Sequence, residues 1–74
     1  MEPEYWDVQL KASRHIPIIK EFIFTHGGTV TDTFDHEGAG IYMLRVFMTK
    51  ELADQVALLK GIKIVEKPPR MRGQ

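Results

Sequence analysis

The sequence predicts an α+β sandwich, a four-stranded antiparallel sheet with two helices on one face. Three observations lead there. Period-two alternation marks a strand near the N-terminus, and β-favouring or apolar runs mark three more. Two stretches of helical spacing, each followed by glycine, separate them. The resulting order is strand, helix, strand, strand, helix, strand, and right-handed crossovers put both helices on the same side. The expected architecture is a ferredoxin-like βαββαβ sandwich.

The first strand runs from Tyr5 to Lys11, with Trp6, Val8 and Leu10 on one face and Tyr5, Asp7, Gln9 and Lys11 on the other. A polar turn over Ala12 to Ile16 leads to Pro17, which has no N–H and belongs in the first turn of a helix. Ile19, Phe22, Ile23 and His26 form the inner stripe of that helix, Lys20 and Glu21 take its wet side, and Gly27-Gly28 ends it. Thr29 to Phe34 is a second strand by composition. Asp35 to Gly40 reads as a polar turn, and Ile41 to Met48, the most apolar run, as the third strand. Thr49 is a helix N-cap with Glu51 in the first turn. Leu52, Ala53, Val56 and Leu59 form the buried stripe, and Gly61 closes the helix. Ile62 to Glu66 is a short fourth strand, stopped by Pro68-Pro69.

With 74 residues the chain is a single domain, 1–74, with a folded core over about 4–68 and an extended tail over 69–74. A core this small, without cysteine, places stability near the low end of the ~5–15 kcal/mol typical of domains. Ten Lys plus Arg balance ten Asp plus Glu, so no net field favours a phosphate backbone and no nucleic-acid partner is expected. Zero cysteines exclude a disulfide, a thiolate metal site and a cysteine nucleophile. No run approaches the roughly 18 apolar residues of a membrane span, and the acidic N-terminus lacks an apolar signal core. The expectation is a soluble, cytoplasmic domain with no membrane partner, secreted only if excised from a larger precursor.

Catalytic chemistry is thin. Ser13 is the only serine, and its neighbour His15 does not make a triad without an orienting acid. Asp32, Asp35, His36 and Glu37 match no metal-loop spacing, so a solvated hairpin is expected and no metal or other cofactor. Neither Gly27-Gly28 nor Gly38-Ala39-Gly40 opens a helix that could hold an anion. The third strand lacks the basic and aromatic pattern of an RNA-recognition module. One feature exceeds what the fold requires: this strand is apolar on both faces. Either Ile41, Met43 and Phe47 or Tyr42, Leu44 and Val46 must lie on the open side, a patch of the kind that marks an interface.

From Glu21 onward the chain resembles the propeptides of subtilisin-like serine proteases and the small stand-alone inhibitors related to them. The resemblance runs through Gly27-Gly28-Thr29-Val30 to Phe34, the glycine-containing hairpin, the apolar third strand, the helix from Lys50-Glu51-Leu52, and Ile62-Lys63-Ile64-Val65-Glu66. The first strand fits in pattern. The resemblance implies a protease inhibitor, not an enzyme, that can also act as a folding chaperone for its protease. It implies that Arg70, Met71, Arg72, Gly73 and Gln74 lie extended in the protease cleft like a cleaved product. Gln74 would take the primary specificity pocket and Met71 the apolar pocket four residues back.

It further implies that the sheet face bearing Ile41, Met43, Arg45 and Phe47 docks on two surface helices of the protease, with Glu66 capping a helix N-terminus. Lys67 and Pro68 depart from the family by replacing its next two acids, and a lysine facing a helix N-terminus would be repelled. An extended tail of five to seven residues reaches roughly 16–25 Å, enough to span several subsites. The expected partner is a subtilisin-like serine protease and the expected state a monomer. The alternative is a ferredoxin-like regulatory domain without a protease target, dimerising through the sheet face.

Overall fold

The computed structural model describes residues 2–69. The strands are β1 (Glu4–Leu10), β2 (Thr29–His36), β3 (Ile41–Met48) and β4 (Ile62–Glu66), and the helices are α1 (Ile16–Thr25) and α2 (Lys50–Val56). The sheet order is β2-β3-β1-β4, with every neighbouring pair antiparallel. Sequence neighbours β1 and β2 are thus separated by β3, the arrangement of a ferredoxin-like α+β fold.

The core lies between the helices and the inner face of the sheet. Trp6, Val8 and Leu10 of β1 and Leu44, Val46 and Met48 of β3 meet Ile16, Ile19 and Ile23 of α1 and Leu52, Ala53 and Val56 of α2. Alternation along both central strands produces this face directly, because paired residues across a ladder share a side. Burying such side chains stabilises by about 1.5–3 kcal/mol each, which is what offsets the entropy of ordering a small chain.

Helix α1 begins with Pro17 in its first turn and ends in a Schellman motif. Gly28 donates 2.8 Å to the Ile23 carbonyl and Gly27 donates 3.2 Å to Phe24. Gly27 has φ +94°, the left-handed region a side chain resists. Helix α2 starts where Thr49 Oγ1 accepts from the Leu52 amide at 3.2 Å. It stops at Val56, earlier than Gly61 suggests, because the chain tightens there: Leu58 bonds back to Gln55 and Leu59 to Val56, each three residues away. Leu59 still packs on the core from this turn.

Strand β2 is longer than its composition suggests. Asp35 and His36, expected in the turn, pair with Tyr42 and Ile41, and only Glu37 to Gly40 make the connection. A β-bulge at Thr31 lies between the Val30↔Val46 and Asp32↔Arg45 pairs, and a second irregularity separates Ile62 from Ile64. Among the described residues, no helix is long and apolar enough to cross a membrane.

Candidate functional site

The strand register fixes what the open sheet face carries. Residues paired across the ladder project to the same side, so the face opposite the helices is built in rows. One row runs Thr29, Phe47, Tyr5. The next runs Asp32, Arg45, Asp7, Glu66, and the third Phe34, Met43, Gln9, Ile64. His36 and Ile41 complete it. The face is therefore two apolar patches divided by a charged stripe.

The sequence left two options for the outward side of β3, and the register decides between them. Ile41, Met43, Arg45 and Phe47 lie on the open face together, whereas Leu44 and Val46 are fully buried under the helices. Tyr5, Ile41 and Ile64 are 49%, 51% and 46% exposed. Tyr5 and Phe47 pack ring to ring, with centroids 4.9 Å apart and tilted by 54°. Tyr5, Phe34 and Ile64 were not singled out as site residues. Each comes from a different strand, and the pairing sets Tyr5 beside Phe47, Phe34 beside Met43 and Ile64 beside Gln9.

The charged stripe is anchored by Arg45 and Asp7. Arg45 Nε donates 2.8 Å to Asp7 Oδ1 and Nη2 donates 3.1 Å to Oδ2, a bidentate pair. Asp7 is the buried polar residue of the described chain, at 3% exposure. The hydrogen bonds it donates to Asp7 raise the Arg45 guanidinium above its ordinary pKa. Desolvation opposes this, and the charges of Asp7 and Asp32 add to it. With Arg45 and Asp7 matched, Asp32 and Glu66 leave an excess of negative charge at the two ends of the stripe. Glu66 Oε2 accepts from Gln9 Nε2 at 2.9 Å, which holds its carboxylate on the open face.

Lys67 does not face that surface. Strand alternation sends it to the helix side, where its ammonium pairs with Glu4 and lies 4.8 Å from the centroid of the Trp6 ring. The Lys67 charge therefore lies off the open face that carries Glu66. Arg70, Met71, Arg72, Gly73 and Gln74 lie outside the described residues.

Elsewhere the polar residues are engaged in structure. Ser13 Oγ donates 2.9 Å to Asp35 Oδ2, joining the turn before α1 to β2. His26 Nδ1 donates 2.8 Å to the Phe22 carbonyl while its ring stacks on Phe22, a helix C-terminal contact. Asp32 and Asp35 fall on opposite faces of β2, which disperses the acidic cluster seen in the sequence. Among the described residues, no three His, Cys, Asp or Glu side chains come together as a metal site. An open groove of about 650 Å³ between α1 and β2 is lined by Lys20, Glu21, Phe24, Thr29 and Val30, with no histidine or cysteine among its lining residues.

No family model, no curated protein and no solved structure matches the chain.

Proposed function

We propose that this domain is a propeptide-like inhibitor of subtilisin-like serine proteases, without catalytic activity of its own. The observation that carries the reading is the open sheet face. Apolar patches around Tyr5 and Phe47 and around Met43 and Ile41 flank a stripe whose acidic excess ends at Glu66, three residues before the tail begins at Pro69. An apolar surface with a carboxylate at its edge suits the N-termini of helices, where unsatisfied N–H groups and the dipole attract negative charge.

In this reading the sheet face seats the domain on the protease, and Arg70 to Gln74 enter the cleft as an extended strand. Backbone hydrogen bonds hold it, and alternate side chains, Met71 among them, fill pockets. Gln74 occupies the primary pocket. Pro68 and Pro69 limit the entropy lost when the tail orders. The same contacts let the domain assist folding of a protease that it fits.

The test is an inhibition assay against a subtilisin-type protease with the full chain and with a chain cut after Pro69. Inhibition by the full chain and its loss on truncation is the expected pair of results. Equal inhibition by both removes the tail from the mechanism, and inhibition by neither removes the reading. A second reading, a regulatory domain dimerising through this face, draws on the exposure of Tyr5, Ile41 and Ile64. Sedimentation equilibrium separates the two, since a stable dimer would cover the docking surface.

A further inference from the structure

Pairing between β1 and β4 stops at Asp7↔Glu66. Pro68, two residues on, has no N–H with which to extend the ladder. One more rung would set Lys67 opposite Trp6, and the lysine side chain makes that connection in place of the backbone. Its ammonium sits 4.8 Å from the Trp6 ring centroid and pairs with Glu4, the next residue of β1 on the same face. Trp6 is a fixed anchor: it is 9% exposed, and its indole Nε1 donates 3.1 Å to the Met48 carbonyl. The anchor grips the last residue before two prolines. Lys67 is itself restricted by the proline after it, so few backbone directions remain once it is held.

We propose that Lys67 is a positioning residue for the C-terminal segment. Its clasp on Trp6 and Glu4 sets the direction in which the chain leaves β4. The inhibitory consequence rests on the protease-inhibitor reading, whereas the clasp can be tested without an enzyme. The chemistry also explains the residue type. An acid at this position would be repelled by Glu4 and by the electron-rich face of the indole, and an apolar residue could pack on the ring but would leave Glu4 without a partner.

The experiment compares the full chain with Lys67→Met, which keeps the stem and removes the charge, and with Lys67→Arg, which keeps both contacts. In the free protein, NMR should place the terminal methylene protons of Lys67 upfield through the Trp6 ring current. The Hα–Cα groups of Pro68 and Pro69, the next residues along the chain, should lose order in Lys67→Met and keep it in Lys67→Arg. Thermal midpoints should hardly differ, since both ionic partners are half-exposed. Against a protease that the wild type inhibits, Lys67→Met should raise the inhibition constant about five- to tenfold and Lys67→Arg should restore it.

Unchanged order at Pro68 and Pro69 in Lys67→Met overturns the clasp. Lost order with unchanged inhibition overturns its role in docking. A wild-type chain that inhibits nothing, with Pro68 and Pro69 still loosened by Lys67→Met, sustains the clasp and ends the inhibitor reading instead.

Discussion

Arg45 and Asp7 face each other across β3 and β1 in a bidentate ion pair, with the aspartate side chain 5% exposed and the arginine 34%. A carboxylate this deeply covered depends on its partner. Arg45→Met should destabilise the fold by about 2–3 kcal/mol, less than the ~3–5 kcal/mol for breaking a fully buried pair because the guanidinium keeps some water. Urea titration measures this. The Asp7→Asn/Arg45→Met double variant should lose less than the sum of the single losses, since it leaves no unpaired charge. The raised Arg45 pKa places its contribution fully below the ordinary guanidinium value, to be lost only as pH rises beyond it. The stability gap between wild type and Arg45→Met should therefore stay level from neutral to mildly alkaline pH.

Gly61 has φ +92°, and a Cβ there would lie 2.5 Å from the His15 ring. Gly61→Ala should cost about 2–3 kcal/mol, combining backbone strain with displacement of His15. Adding His15→Ala should recover the steric share and leave the strain. Thermal midpoints of the single and double variants separate the two causes.

Thr49 Oγ1 caps α2, a helix of only seven residues. Thr49→Ala should destabilise by about 1 kcal/mol, and Thr49→Ser should recover most of it, as read by chemical denaturation. Equal stability of the alanine and serine variants would remove the cap from the account.

Phe47 tests the surface without disturbing the core, because it packs on Tyr5 on the open face. Phe47→Asp should weaken protease inhibition by at least tenfold, about 1.4 kcal/mol, with the far-ultraviolet circular dichroism unchanged. Inhibition at the wild-type level would separate the sheet face from binding.

Strand and helix positions were legible because each is written locally. The apolar run marked Ile41–Met48 and the stop at Pro68-Pro69 marked Ile62–Glu66, both to the residue, while Pro17 and Gly27 bracketed α1 and Thr49 opened α2. What depends on pairing was less accessible. The extension of β2 through Asp35 and His36 rests on partners in β3, and the early end of α2 on three-residue bonds that no propensity announces. Ile41, Met43, Arg45 and Phe47 of β3 fell on one face, the open one. The stripe dividing that face joins residues as distant as Asp7 and Glu66, which only the register aligns. The side of the sheet taken by Lys67 follows from simple alternation after Glu66, yet its hold on Trp6 and Glu4 needed the three-dimensional arrangement.

The extra residue at Thr31 has a consequence for how the molecule behaves in company. Strand β2 is an outer rail of the sheet, eight residues long, and such a rail invites a neighbouring molecule to add itself by main-chain bonding. Thr31 interrupts the rail, and its hydroxyl turns inward to the Arg45 carbonyl at 3.1 Å. The local twist this imposes spoils the flat template that fibril growth requires. The sheet thus carries apolar patches on its open face while its flank discourages self-stacking.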